Sequence, residues 1–140
     1  MVAARYLLDT NALSEPPRPR PNPGLLDRLS EHREELATAA PVWHELLVGA
    51  RRLAPSRRRE ELERYLASAV RDAMPILPYD GAAAEWHASE RVRLGALGRT
   101  PAYVDGQIAA IAYVNKLILV TANVSDFADF AGLGVENWCS

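Results

Sequence analysis

Cysteine is almost missing from this 140-residue chain, which carries one, Cys139, beside its C-terminus. A lone thiol excludes an internal disulfide framework and a cysteine-rich zinc site, and it suits a reducing cytoplasm, the expected location. Long apolar runs are missing too. None approaches the ~20 residues of a transmembrane helix, so no membrane role is expected. The N-terminus lacks the basic-then-apolar layout of a signal peptide, because its apolar stretch ends on Asp9. There is no excess of one charge: a formal net charge of -2 gives no whole-protein basic field for nucleic acid. Fifteen of the sixteen basic residues are Arg, which reads as compositional bias and not as function. His32, His44 and His87 are scattered, with no two at ligand spacing on one helix face, which argues against a catalytic histidine.

What is present is enough for a core. Hydrophobic residues make up 49%, which excludes global disorder, and the length fits one domain spanning 1–140. Arg5 to Thr10 reads as a short buried strand. The stretch "SEPPRPRPNPG" holds half of the ten prolines, and proline blocks both helix and ladder pairing, so a stiff exposed loop is expected. Leu25, Leu26 and Leu29 have helical spacing. Leu36 to Ala40 reads as a second strand, and Pro41 suits the first position of a helix running through "VWHELLVGARRL". Ser56 is a candidate cap for "RRREELERYLASAVRDA", "MPILPYD" a third strand, and Asp80-Gly81 the start of a helix toward Gly98. Thr100-Pro101 opens "AYVDGQIAAIAYVNK", "LILVTAN" is a fourth strand, and "VEN" a short fifth. Strands alternating with helices imply a parallel sheet covered on both faces, with sites at the carboxyl ends of its strands.

Three carboxylates stand out against that frame. Asp9 ends the first strand, and Asn123 and Asp126 follow the fourth. Glu45 lies four residues after Pro41, and Asp105 four residues after Pro101. If each proline opens its helix, both acids fall beyond the first turn, where capping and the helix dipole no longer explain them. Asp105 shares a helix face with the apolar Ile108, Ala109 and Ala112, and Glu45 lies in an otherwise apolar segment, so both are expected to point inward. Buried carboxylates need a cation, either an arginine for each or a shared metal. Oxygen ligands without a His or Cys cluster favour Mg²⁺ or Mn²⁺.

The segments "LLDTNALSE", "VWHELLVGA", "YVDGQIAAIA" and "LVTANVSDF" resemble, in order and spacing, the four motifs of PIN-domain ribonucleases, most nearly the VapC and FitB-type toxins of toxin–antitoxin pairs. The resemblance implies a PIN-like three-layer α/β/α sandwich around a central, mainly parallel sheet of four or five strands. Residue by residue it implies Asp9, Glu45 and Asp105 as the first three acids and Asn123, a neutral version, at the fourth position. Asp126 matches a frequent family acid and is a further candidate ligand. Thr10, Asn11 and Thr121 match residues that support the site, although ordinary strand-end hydrogen bonding explains them as well. The implied activity is Mg²⁺- or Mn²⁺-dependent hydrolysis of RNA phosphodiesters by an activated water. The implied partners are a small cognate antitoxin and a second copy in a homodimer.

Weaker signals and rival readings accompany this. Arg18 and Arg20 in the proline loop are candidate RNA or partner contacts, whereas "RRLAPSRRR" is balanced by Glu60, Glu61 and Glu63 and reads as a solvated helix end. A phosphatase-like hydrolase with a strand-end Asp nucleophile would want a second acid where Asn11 stands. A PIN domain without activity, serving as a binding module, is kept open by Asn123 and opposed by the three acids.

Overall fold

Short apolar segments, each followed by a helix-start signal, generate the architecture. The computed structural model describes residues 3–139; residues 1, 2 and 140, the ends of the expected domain, lie outside the described residues. In chain order the elements are β1 (Tyr6–Leu8), α1 (Thr10–Ser14), α2 (Pro23–Glu31), β2 (Leu36–Ala39), α3 (Ala40–Arg51), α4 (Arg57–Tyr65), β3 (Ile76–Leu77), α5 (Gly81–Ala96), α6 (Tyr103–Val114), β4 (Ile118–Val120) and β5 (Val135–Glu136). Single 3₁₀ turns cover Arg33–Glu35 and Val124–Phe127, and a π turn covers Leu66–Arg71.

All strand pairs are parallel, and the sheet order is β3-β2-β1-β4-β5. The chain first winds outward from β1 through β2 to β3, then returns through α5 and α6 to place β4 on the other side of β1. The strand order therefore reverses between β1 and β4, and in open parallel sheets the crevice outside that reversal is where ligands bind. In register, Leu8 lies between Thr38 and Val120, which puts Asp9 and Thr121 side by side just beyond the carboxyl ends of the two central strands. The Asp9 N–H donates to the Val120 carbonyl at 3.0 Å and fixes that juxtaposition.

The core is built from Leu7, Leu8, Leu119 and Val120 of the central strands against Val42 and Leu46 of α3, Leu94 of α5 and Ile108 and Ile111 of α6. Helix α6 is buried on most of its circumference, as its alanine-rich sequence requires, and α5 packs closely along it. Tyr6 meets His32 and Trp138 on one face of the sheet. Trp138 is buried, and Trp43 and Trp86 pack half-buried against the core.

Three boundaries differ from the sequence expectation. The first strand stops at Leu8 because Asp9 caps a short helix, α1, that begins at Thr10. The proline segment is a turn, as expected, but it is folded back: the Glu15 carboxylate accepts the Asn22 N–H at 2.9 Å, and Asn22 in turn caps α2 ahead of Pro23. The long helix expected after Ser56 widens into a π turn at Leu66. Tyr65, whose hydroxyl donates to the Leu13 carbonyl at 2.6 Å, ties α4 to α1; burial pushes its pKa up to about 12, so it stays a donor.

The α5–α6 contact depends on Gly106. A Cβ there would overlap the His87 imidazole, which is buried and held by a 2.8 Å hydrogen bond between its Nδ1 and the Tyr79 hydroxyl. Burial, then the nearby Arg91 guanidinium, lowers the His87 pKa. Overpacking of this kind costs about 1–3 kcal/mol. Gly106→Ala should lower stability by that amount in denaturant titration, and should cost markedly less in a His87→Ala background. Equal cost in both backgrounds would place the strain elsewhere.

Candidate active site

Asp9 is the anchor. Its carboxylate caps α1, accepting the Thr10 N–H at 2.8 Å, so the strand-end acid has a local task that the sequence reading did not assign to it. Its other oxygen accepts the Thr121 hydroxyl at 2.8 Å and the Asn11 amide at 3.3 Å. The Asn11 amide also donates to Thr121 Oγ1 at 3.0 Å, and its carbonyl accepts the Ala122 N–H at 2.9 Å. Thr121 Oγ1 further accepts the Asn123 N–H at 3.1 Å. Asn11 thus bridges the ends of β1 and β4. Thr10 points the other way, its hydroxyl donating to Glu45 Oε2 at 3.2 Å.

The remaining acids gather round this anchor, though less deeply than expected. Asp9 is buried and Asp105 half-buried, but Glu45 is exposed, contrary to the inward orientation expected for it. The reason is that α3 turns Glu45 toward Thr10 at the rim instead of toward the sheet. Asp105 also differs: α6 starts at Tyr103, not Pro101, so the acid lies in the first turn. A first-turn carboxylate is favoured by the helix dipole and should titrate low. Instead the Asp105 pKa is pushed up from 3.8 to about 6, by burial first and then by Asp9, Asp126 and Glu45. Asp9 is raised in the same sense by burial, with the Thr10 and Thr121 hydrogen bonds opposing and Glu45 and Asp126 adding to the rise. Glu45 and Asp126 therefore act on both Asp9 and Asp105, and Asp9 acts on Asp105 as well.

No basic side chain relieves them. Among the described residues, every ion pair lies elsewhere, so the alternative in which an arginine neutralises each acid is excluded there. Arg18 pairs with Glu15. Arg20 is exposed and is not among the charges acting on Asp9 or Asp105. Asn123 is exposed at the start of the 3₁₀ turn and contributes its backbone N–H, whereas Asp126, on the same turn, contributes the charge that both Asp9 and Asp105 sense. Among the described residues no three acidic, His or Cys side chains are gathered so as to hold a metal ion as they stand. The donor set, carboxylate oxygens with no nitrogen or sulfur, fits a hard divalent cation.

One element of the surroundings had no sequence signal. A groove of 610 Å³ runs between α3 and α6, lined among others by Glu45, Gly49, Arg52, Tyr79 and Gln107. These residues come from three separated segments, so no spacing rule could assemble them.

An acid-rimmed crevice lies at the strand reversal of a five-stranded parallel sheet with helices on both faces, an α/β architecture. The chain belongs to the PIN domain family, whose model matches residues 6–133. It is 33% identical to Toxin FitB of Neisseria gonorrhoeae over 124 residues, covering 86% of this chain and 89% of that protein. It is 26% identical over 136 residues to the tRNA(fMet)-specific endonuclease VapC of Salmonella typhimurium, covering 96% and 98%. The crystal structure of FitAcB from Neisseria gonorrhoeae superposes with a TM-score of 0.87 at 31% identity, covering 95% of this chain and 97% of that one.

The raised Asp105 pKa has a pH consequence whose sign is fixed. The folded protein holds that proton more tightly than the unfolded chain, so the contribution of Asp105 to stability falls as pH rises from 3.8 to about 6 and levels off above. In metal-free buffer, Asp105→Asn should melt higher than the parent above pH 6, with the difference shrinking to little below pH 4. Thermal melts across that range check it. A difference independent of pH would mean that Asp105 does not titrate in the site.

Proposed function

We propose that this chain is a divalent-metal-dependent endoribonuclease and the toxin of a toxin–antitoxin pair. The observation that carries the reading is the set of four carboxylates, Asp9 and Asp105 raised by the charge of the others and none in an ion pair among the described residues, at the strand reversal of a PIN domain. Relatives named as endonuclease and toxin support it. In this reading Asp9, Glu45, Asp105 and Asp126 hold Mg²⁺ or Mn²⁺. Bound there, the ion would polarise the scissile phosphate and lower the pKa of the attacking water. In this reading the acids serve as ligands and none acts as a covalent nucleophile.

Each residue has a role that its contacts support. Thr121 and Asn11 keep Asp9 in one rotamer, and Thr10 steers Glu45. Near pH 6 part of the population carries a proton on the Asp105 carboxylate, and that proton leaves when a cation takes its place. Asp126 is better supported than Asn123 as the fourth member, because its charge acts on both Asp9 and Asp105. The same acid cluster suits a cationic side chain, and a cognate antitoxin inserting an arginine there would meet the carboxylates bidentately. A homodimer and a cytoplasmic location belong to the same proposal.

Metal-dependent cleavage of single-stranded RNA should be abolished by EDTA and restored by Mg²⁺ or Mn²⁺. Glu45→Gln and Asp105→Asn should each lower activity at least about a hundredfold without unfolding the protein. Thr121→Val, which removes a support and not a ligand, should cost about 10- to 100-fold. Asp126→Asn should cost more than Asn123→Ala. Undiminished cleavage in excess chelator, or by the Asp105 variant, would sink the mechanism.

A further inference from the structure

Among the described residues the buried polar side chains are Asp9, Thr38, His87, Glu90 and Thr121. Asp9 and Thr121 belong to the site, Thr38 donates to the Leu8 carbonyl, and Glu90 is matched by Arg93 and the Ala131 N–H. That leaves His87, and its contacts lead to Asp105. Resting on the ribonuclease reading, we propose that His87 and Tyr79 are positioning residues. Together they clamp the first turn of α6 and hold Asp105 at the crevice, in place of the side-chain cap that this helix lacks.

The missing cap is the first support. Helices α1, α2, α4 and α5 each begin with a side chain that accepts a first-turn N–H, from Asp9, Asn22, Ser56 and Asp80. Helix α6 follows Ala102, whose methyl group accepts nothing. An uncapped helix start is prone to fray. Like charge adds to the difficulty, because Asp9, Asp126 and Glu45 all oppose an ionised Asp105 in this turn. Something other than a cap must hold it in place.

The contacts that can do so grip both sides of Asp105. The His87 imidazole lies so close to Gly106 that a Cβ there would overlap it, and its ring centre is 5.0 Å from that of Tyr103. The Tyr79 hydroxyl, hydrogen-bonded to His87 Nδ1 at 2.8 Å, also interacts with Tyr103; burial and then Tyr103 raise its pKa, so it keeps its proton. The Arg91 guanidinium covers the Tyr103 ring at 5.2 Å. Tyr79 follows β3, and His87 and Arg91 belong to α5, so two elements outside α6 hold residues 103 and 106. The Gly106 N–H donates to the Ala102 carbonyl at 3.1 Å, and this bond closes the first turn. It is the bond that a released clamp would loosen. A pair that merely filled the space between α5 and α6 would instead spread its effect over the whole contact.

Amide hydrogen exchange in the metal-free protein separates the two roles. In Tyr79→Phe, which loses one hydroxyl and keeps both rings, the Gly106 and Gln107 amides should exchange about three- to tenfold faster. Amides of Leu8 and Leu119 in the central strands should not change. His87→Ala should have a larger local effect, and His87→Asn, which returns a polar atom near the Nδ1 position, should recover part of it. Mn²⁺ affinity, measured without RNA by electron paramagnetic resonance, should fall about tenfold in Tyr79→Phe. With RNA, His87→Ala should lower kcat and leave KM unchanged, since the buried imidazole does not line the groove. Exchange that stayed as in the parent, or rose equally in the central strands, would overturn the proposal. So would undiminished Mn²⁺ affinity in both Tyr79→Phe and His87→Ala when the parent binds the ion. If local exchange responded but the parent neither bound Mn²⁺ nor cut RNA, the ribonuclease reading would fail and the clamp on α6 would stand.

Discussion

The Asp9 carboxylate, buried between the ends of β1 and β4, is the constraint on which the rest of this structure depends. It accepts donors from its own α1, from Asn11 and from Thr121, and so locks the two central strands at the point where the sheet order reverses. The polar atoms around Asp9 are matched to one another: Thr121 Oγ1 gives one hydrogen bond and accepts two, and Asn11 uses both ends of its amide. A satisfied buried network of this kind holds one arrangement and penalises alternatives. Around it the rim is deliberately loose, with Glu45 and Asp126 in solvent and Asp105 between.

The electrostatics run against ordinary stabilisation. A chain with fifteen arginines could neutralise four carboxylates many times over, yet its ion pairs lie elsewhere. Asp105 measures the outcome, because two effects compete at that position. The N-terminal turn of α6 favours its ionised form, worth up to about 1 kcal/mol at an exposed site. Burial and three like charges oppose that, and they win, since the pKa moves up to about 6. That unrelieved repulsion is the physical basis of the metal-site proposal.

Much of the fold was legible because its signals are local. Apolar runs ended by polar residues, Ser56 and Asp80 as caps, and prolines near helix starts all have physical effects within a few residues. What failed also failed locally. Asp9 acts as a cap and not only as a strand-end acid, and α1 was missed because a five-residue helix is too short to show periodicity. Asp105 was expected past the first turn because Pro101 was taken as the helix start, whereas Ala102 remains extended and the helix begins at Tyr103. The inward orientation expected of Glu45 came from its apolar neighbours and ignored Thr10, which is remote in sequence and draws the side chain to the rim. The groove was invisible for a related reason: Tyr79, Gln107 and Arg52 meet only after the sheet has formed.

The network around Asp9 also bears on which residues speak for chemistry. Position 9 needs a group that only accepts, because its second oxygen faces both the Thr121 hydroxyl and the Asn11 amide. An asparagine there would cap α1 well enough but would set one amide donor against another. Asn11 could answer by flipping, and its NH₂ would then face the Ala122 N–H. Leaving such a donor unpaired costs about 1–3 kcal/mol, comparable to what relief of charge repulsion would return. Hydrogen-bond polarity alone would therefore keep an aspartate at position 9, even in a molecule that cuts nothing. Glu45 likewise has Thr10 to satisfy it. Asp105 and Asp126 are different: neither side chain takes part in a hydrogen bond or ion pair among the described residues, Asp126 raises both Asp9 and Asp105, and Asp105 is itself held up by like charge. The helix dipole offers Asp105 less than burial and like charge take away, so the proposed case for a cation, and with it for hydrolysis, rests most heavily on those two acids.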